Sequence, residues 1–219
     1  MPRRGNLVRL GAEVVITGRD ADKTKRAAVE AGARAEVVDA SSGDALRAFF
    51  DALGDFDHLV ITVSGAHGAG AFRDLAVDEV RAGFEQKFWP QFLVARIGIG
   101  RLRKDGSLTF ISAASARSAM PGTVGLAAIN GAIEAMVHPL ARELRPLRVN
   151  AISPGVVETA WWDRLPAETR EQLLAQSAKA SLVGRNGTAA ELGNTIAFVV
   201  SNSFITGAVM EVDGGLWLT

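Results

Sequence analysis

Short apolar runs rich in β-branched residues alternate with longer helical runs along nearly the whole chain. Residues 12–18 read AEVVITG, residues 58–63 read HLVITV and residues 107–112 read SLTFIS, each suited to one buried strand. Because these strand runs are continuously apolar and separated by helical runs, they predict a parallel sheet with helices on both faces. The 219 residues suit one core, so we predict a single domain over residues 1–219.

The same criteria assign the remaining elements. The other predicted strands are residues 35–39, 148–153 and 207–212, and the predicted helices are residues 21–31, 44–53, 77–102, 122–144, 167–180 and 189–201. Pro90 and Pro139 fall inside two of these helices. A proline there removes a hydrogen-bond donor and clashes with the preceding turn, so we expect both helices to bend.

Composition excludes several classes of function. Lysine plus arginine number 24, as do aspartate plus glutamate, so the chain lacks the positive field that binds nucleic acid. No apolar run of the sequence reaches the roughly 20 residues that span a bilayer, so we expect neither nucleic acid nor a membrane as partner. The absence of cysteine favours a cytoplasmic location. With no cysteine, no tyrosine and three histidines, thiol and phenol chemistry are excluded and a metal site is not expected.

In parallel α/β sheets, ligands bind beyond the carboxyl ends of the strands. The residues that follow the predicted strands are therefore the candidates for a site, namely residues 19–20, 39–40, 64–65, 112–115 and 154–159. The pattern of strands and helices does not by itself assign a reaction to them.

Two segments resemble motifs of the short-chain dehydrogenase/reductase family. Residues 148–159, RVNAISPGVVET, are similar to the family's RVNxIxPGxxxT, and residues 206–215, TGAVMEVDGG, are similar to its TGxxxxVDGG. Residues 11–20, 56–65 and 121–135 resemble further family segments in the same order. The resemblance implies a Rossmann-like, doubly wound α/β sheet, an NAD(P) cofactor, small carbonyl or hydroxyl substrates, and assembly as a homodimer or homotetramer.

The sequence lacks one part of the family's pattern, the first strand with the TGxxxGxG loop that holds the cofactor pyrophosphate. Residues 1–10 contain a single glycine, Gly5, and the chain starts about where the family's first helix ends. The missing strand would lie between the strands at 12–18 and 58–63, whose backbone groups then need other partners. Either these two strands close the gap, or the N-terminal segment or a partner chain fills it, unless residues that precede Met1 are absent from this sequence.

The family's four catalytic residues are replaced as well. By alignment on the Pro-Gly at residues 121–122, the tyrosine position is Leu126, the lysine position is Asn130, the serine position is Ala113 and the asparagine position is Lys87. Because the chain contains no tyrosine, no shift of register restores that proton donor. The resemblance therefore implies a member that lacks the family's usual hydride-transfer mechanism.

Lys87 and Asn130 are considered together, because the resemblance places both at one pocket. A lysine amine there could act as a base or bind a substrate carboxylate; the alternative is a lysine that reaches solvent, with the asparagine bonded inside its helix. Ser112 could orient a substrate oxygen or bond to local backbone. His67, in the loop GAHGAG, could exchange protons or be a solvated loop histidine. The candidate catalytic residues are Lys87, His67, Ser112 and Asn130.

The candidate binding residues form two groups. The substrate candidates lie in the same loops and in a tryptophan pair that could instead form a subunit contact: Ser64, Gly65, Ala113, Ser115, Leu126, Trp161 and Trp162. The cofactor candidates follow from the resemblance, which puts Arg19 at the NADP 2′-phosphate and Asp39 at the adenine; they are Arg19, Asp39, Pro154, Gly155 and Thr159.

Three functions remain open at this point. The preferred hypothesis is an enzyme that acts on a small, rather apolar molecule by isomerisation, cyclisation or elimination, with no cofactor favoured, because Ala113 and Leu126 turn a polar reaction centre into an apolar wall. The first alternative is an NAD(P)-dependent oxidoreductase with a rebuilt cofactor site. The second is a noncatalytic binding or assembly partner.

Overall fold

The structure, a computed structural model, describes residues 5–218. Its helices are α1 Asn6–Arg9, α2 Ala21–Ala31, α3 Gly43–Leu53, α4 Val77–Gly83, α5 Trp89–Gly98, α6 Val124–Ala135, α7 Val137–Glu143, α8 Ala167–Ala180 and α9 Ala189–Ser201. Its strands are β1 Val15–Gly18, β2 Arg34–Val37, β3 Phe56–Ile61, β4 Leu102–Ile111, β5 Arg148–Pro154, β6 Val157–Glu158, β7 Gly187–Thr188 and β8 Val209–Val212.

The predicted parallel α/β sheet is confirmed. Four strands form a sheet in the order β3-β4-β5-β8, and every neighbouring pair is parallel. Leu108 and Phe110 of β4 and Val149 and Ala151 of β5 are fully buried. Helices α3, α5, α6 and α7 contribute buried side chains to the same core, among them Phe50, Val94, Ile133 and Val137. The continuous burial of β5 is typical of a central strand covered on both faces.

The gap that the sequence predicts is present in the fold. Strands β1 and β2 pair in parallel as a separate sheet, and no ladder joins β1 to β3 within residues 5–218. The N-terminal residues that the structure describes do not supply a strand either, since α1 is helical. Its flanking Gly5 amide donates to the Ala31 carbonyl at 2.9 Å, and its Asn6 side chain donates to Asn194 of α9 at 2.7 Å.

Helices α2, α8 and α9 have the predicted bounds. The predicted helix over residues 77–102 is wrong in its last residue and in being one regular α-helix. It ends at Gly98, and residues 84–88 between α4 and α5 form a π-helical segment. Pro90 is the second residue of α5 and directly follows the π-helical segment, so its missing N–H donor falls where the helix type changes. Leu102 already belongs to β4, which is longer than residues 107–112.

The predicted helix over residues 122–144 divides at Met136, three residues before Pro139. The Met136 amide bonds to the Ile133 carbonyl, a tighter turn than in an α-helix, and Pro139 has no N–H to offer Ala135. Together α6 and α7 form the one helical stretch, among residues 5–218, that is long and apolar enough to span a membrane by length and composition. Its residues Ile129, Ile133 and Val137 are buried in the fold, which accounts for the apolar composition.

Residues 64–70, which follow β3, pack tightly against α6. A Cβ atom on Gly125 would lie 2.5 Å from the Gly68 carbonyl oxygen, and the Gly70 amide donates to the Gly122 carbonyl at 2.9 Å. A Cβ atom on Gly83 of α4 would similarly lie 2.9 Å from the His67 carbonyl oxygen. The absence of side chains at these glycines therefore sets how closely the loop approaches both helices.

We expect Gly125→Ala to lower the free energy of unfolding by about 1–3 kcal/mol, because the added methyl group meets backbone atoms that cannot turn aside. Gly131→Ala is the matched control in the same helix, since nothing lies within 4 Å of its Cβ position. It should be neutral or stabilising by up to about 1 kcal/mol. Chemical denaturation of both variants tests this, and equal stabilities would contradict the packing.

Candidate active site

Lys87 lies in the π-helical segment and is buried, with 8% of its surface exposed. Its Nζ atom donates to the carbonyl oxygen of Ser112 at 2.9 Å and to Oδ1 of Asn130 at 2.7 Å. The structure therefore brings together three of the four catalytic candidates. Lys87 therefore does not reach solvent, and Asn130 contacts it while also bonding within its own helix; a catalytic role for these residues stays a prediction.

Asn130 is oriented by the rest of α6 and by the loop after β4. Its Nδ2 atom donates to the Leu126 carbonyl at 2.9 Å and to Oγ of Ser115 at 3.1 Å. Because both amide hydrogens are used in this way, the amide oxygen is directed to Lys87. The predicted substrate residue Ser115 thus lies beside the cluster, as an acceptor from Asn130.

Ser112 is held at the carboxyl end of β4. Its amide donates to the Ile152 carbonyl at 2.9 Å, and its Oγ atom donates to Oε1 of Glu134 at 2.7 Å. Glu134 also pairs with Arg117 at 3.0 Å, and Arg117 contacts Glu211 of β8. Sequence reasoning missed Glu134, although its place four residues after Asn130 puts both on one face of α6.

The environment of Lys87 changes its acidity. Burial removes water from the ammonium and lowers the pKa of Lys87 from 10.5 to about 8, while the negative charge of Glu134 acts in the opposite direction. A lysine of this pKa exchanges its proton near neutral pH, which an ordinary exposed lysine does not.

Residues of the loop after β3 border the cluster. A Cβ atom on Gly65 would lie 3.6 Å from Cβ of Lys87, and the Ala66 amide donates to the side chain of Gln86. Ser64, beside Gly65, is exposed. Gln91, which sequence reasoning also missed, is fully buried and donates to the carbonyls of Val63 and Ile111 at 2.9 Å each. These bonds tie the ends of β3 and β4 to α5.

His67 does not join the cluster in the described contacts. Its Nδ1 atom lies 2.9 Å from Oε2 of Glu79 in α4, and its side chain is 38% exposed. Its catalytic role therefore stays a prediction, without geometric support from Lys87, Ser112 or Asn130.

The apolar candidates occupy two places. Ala113, which follows Ser112, and Leu126, whose carbonyl holds Asn130, are both half-buried beside the cluster. Trp161 and Trp162 pack edge to face at 4.7 Å, with Arg164 3.5 Å above the Trp161 ring. Trp162 also donates to the Val157 carbonyl at 2.9 Å. No described contact joins this tryptophan pair to Lys87, so its role in substrate binding stays a prediction.

The cofactor candidates lie at the ends of strands. Arg19 follows β1 and is exposed, and Asp39 follows β2. Bonds from the Ser41 hydroxyl and amide, with the nearby Arg19 charge, lower the pKa of Asp39.

A second group of cofactor candidates follows β5. Pro154 ends that strand, the backbone of Gly155 packs against Asp213, and Thr159 caps the short helical turn at Ala160–Arg164. The two groups of cofactor candidates are therefore far apart in the sequence, and the residues of each group follow the carboxyl ends of strands.

A cavity of about 500 Å³ opens at the carboxyl ends of β5 and β8. Its lining includes Val157, Leu182, Arg185, Thr188 and Glu211. Arg185 pairs with Glu191 across this wall, so the lining is mixed apolar and ion-paired. Lys87 does not line this cavity. Glu211 lines it and also contacts Arg117, which connects the cavity to the Lys87 cluster.

Comparison with known proteins agrees with the parallel α/β fold. The sequence model of the family described as Enoyl-(Acyl carrier protein) reductase matches residues 5–217. A small-chain dehydrogenase solved in complex with NADPH is 32% identical, with a TM-score of 0.82 over 95% of this chain and 100% of that chain. The chain therefore belongs to the short-chain dehydrogenase/reductase family and has its Rossmann-like fold.

Two further relatives are informative. The short-chain dehydrogenase/reductase ATR9 of Stachybotrys chlorohalonatus (strain IBT 40285) is 28% identical over 190 residues, which are 84% of this chain and 68% of the relative. An NADPH-bound short-chain oxidoreductase of Pseudomonas aeruginosa PAO1 that contains an atypical catalytic center is 26% identical, with a TM-score of 0.83 over 96% of this chain and 89% of that one. These relatives do not support the sequence-based preference for redox-neutral chemistry.

The lowered pKa of Lys87 predicts how stability depends on pH. Between about pH 8 and 10.5 the unfolded chain binds more protons at this residue than the folded protein, so its contribution to the free energy of unfolding rises with pH through that window. We expect a rise of about 3 kcal/mol in the wild type relative to Lys87→Met. Urea denaturation of both proteins from pH 7 to 10.5 measures the difference. If their free energies of unfolding changed in parallel with pH, the lowered pKa of Lys87 would be refuted.

Proposed function

We propose that this chain is an enzyme that acts on a small carbonyl or hydroxyl compound, with Lys87 as the group that exchanges a proton with the substrate. The observation that carries the proposal is the buried Nζ atom of Lys87, held by the Ser112 carbonyl and Asn130 in place of the family's tyrosine-based centre. The positions of Ser112 and Asn130 on either side of the amine support its role as the reactive group.

Lys87 suits this role by charge and by geometry. With a pKa of about 8, about nine in ten molecules carry the ammonium form at pH 7. The two bonds to Ser112 and Asn130 use two of its three N–H donors, and the third can be given to a substrate oxygen as negative charge develops there. In the reverse direction the neutral amine accepts the proton from a hydroxyl group.

NADPH is the cofactor that the similar structures suggest, and it would supply a hydride to the carbonyl carbon when bound. The residues present fit it in part. Arg19 is an exposed cation at the carboxyl end of β1, and Pro154, Gly155 and Thr159 follow β5. The family's glycine-rich pyrophosphate loop has no counterpart among residues 5–218, since α1 is the only element there that precedes β1.

Redox-neutral proton transfer, such as isomerisation or elimination, is the second candidate. The observation that favours it is the same unmatched pyrophosphate, because these reactions need Lys87 but no hydride. The NADPH-bound relatives favour the reductase, and we therefore put it first.

We further propose that a single domain over residues 1–219 assembles as a homodimer or homotetramer in the cytoplasm. Exposed apolar side chains on the long helices support the assembly. Trp89 and Phe92 of α5 are 49% and 42% exposed, and Val124 of α6 is 51% exposed. A second copy that covers these side chains would remove them from water.

Lys87→Met should lower turnover about 10²- to 10⁴-fold, because it removes the proton donor and leaves an apolar side chain of similar length. The assay is a panel of small ketones and aldehydes with and without NADPH, and of small alcohols with and without NADP⁺. Lys104→Met is the matched control, since Lys104 is an exposed lysine of β4, and it should retain full activity. If Lys87→Met turned over substrate at the wild-type rate, Lys87 would not be the proton donor.

We expect NADPH to bind saturably and Arg19→Met to weaken that binding about tenfold or more, because a guanidinium that contacts the 2′-phosphate contributes a charge-assisted hydrogen bond. Binding of NADH, which lacks that phosphate, should be unaffected. Arg26→Met, at an exposed arginine of α2, is the control. Nicotinamide fluorescence and calorimetry measure both. No saturable binding of either NADPH or NADH at millimolar concentration would exclude the reductase and leave the redox-neutral candidate.

A further inference from the structure

Glu134 carries a mostly buried carboxylate beside the candidate active site, and none of the roles assigned so far includes it. Its side chain is 9% exposed. It lies on α6 one turn after Asn130, and residues four apart on a helix share a face. The helix therefore presents Asn130 directly to Lys87, and it presents Glu134 to Ser112, the other residue that holds Lys87.

Glu134 contacts two residues, one through each of its carboxylate oxygens. Its Oε1 atom accepts from Oγ of Ser112 at 2.7 Å, and its Oε2 atom pairs with Arg117 at 3.0 Å. The carbonyl of the same Ser112 accepts from Lys87 at 2.9 Å. One serine thus connects this carboxylate to the buried amine, and Arg117 pairs with the other carboxylate oxygen.

We propose that Glu134 is a positioning residue for Lys87: it fixes Ser112, and with it the carbonyl oxygen that holds the amine, and it supplies the negative charge that compensates the buried ammonium. An effect of Glu134 on catalysis rests on the proposed function of Lys87. The described geometry makes the connection without any direct contact between Glu134 and Lys87.

The other charged groups near Lys87 are placed differently. The elements that pack against its π-helical segment are α4, α5 and α6. Asp78, Glu79 and Arg81 of α4, Glu85 of the segment itself and Arg96 of α5 are all exposed to water, which screens their charges. Glu79 is paired with His67, and Asp78 is paired with Arg81. Glu134 is the acid whose charge opposes the effect of burial on the pKa of Lys87.

The experiment measures the proton affinity of Lys87 directly, so it needs no substrate. The intact protein is labelled with trace acetic anhydride from pH 6 to 11, and acetylation of each lysine is followed by peptide mass spectrometry. In Glu134→Gln the glutamine still accepts from Ser112, but the charge is gone, so the ammonium is less favoured. We expect Lys87 to be acetylated about threefold faster, or more, at pH 7 than in the wild type. The exposed lysines Lys23 and Lys104 are internal standards.

Glu211→Gln is the matched control, because it removes the outer acid of Arg117 and leaves the bonds of Glu134 to Ser112 and Arg117 in place. Its Lys87 labelling should equal that of the wild type. Ser112→Ala keeps the charge of Glu134 but removes its hydrogen bond to residue 112. The rate of Lys87 acetylation should then lie between those of the wild type and Glu134→Gln. This variant tests the proposal if Glu134→Gln does not fold. Wild-type labelling rates in both Glu134→Gln and Ser112→Ala would overturn the positioning role.

The same data separate this inference from the proposed function. If Lys87→Met retains activity but Glu134→Gln changes Lys87 labelling, the proposed catalytic role fails and the positioning role stands. If Lys87→Met is inactive and labelling of Lys87 is unchanged in both Glu134→Gln and Ser112→Ala, Lys87 is catalytic and Glu134 does not position it.

Discussion

Buried carbonyl oxygens at the carboxyl ends of β3 and β4 need hydrogen-bond donors, and one helical stretch supplies them. Gln91 of α5 donates to the carbonyls of Val63 and Ile111, and Lys87, four residues earlier, donates to that of Ser112. An unpaired buried carbonyl would cost about 1–3 kcal/mol, so these bonds fix where the helix meets the sheet. The candidate active site is built on the same bonds that close the end of the core.

The chemistry of Lys87 follows from a balance of two electrostatic effects. Burial disfavours the ammonium, and the carboxylate of Glu134 favours it. Neither effect requires a tyrosine, and the chain contains none. Lys87 stands at the family's asparagine position and not at the tyrosine position, which is Leu126, so a proton exchanged by Lys87 would be exchanged from a different place in the fold.

The separation of the β1-β2 sheet from the four-stranded sheet divides the site into two regions. The Lys87 cluster lies at the end of β4 in the larger sheet, and Arg19 follows β1 in the smaller one. The larger sheet carries the continuous core of Leu108, Phe110 and Val149, so the acid-base cluster is anchored in it. The cofactor candidates depend on how β1 and β3 are related, and no described ladder joins these two strands.

The sequence by itself determined the alternation of strands and helices, the bounds of α2, α8 and α9, the absence of the tyrosine and the joint assignment of Lys87 and Asn130. The first three follow from local periodicity and residue identity, and the joint assignment of Lys87 and Asn130 follows from the resemblance to the family's motifs. Only the tertiary structure decided that the helix around Pro90 passes through a π-helical segment, that Lys87 is buried, and that Glu134 and Gln91 belong to the site. The contacts of the site join residues 20 to 43 positions apart in the chain, and no local pattern records which of them meet.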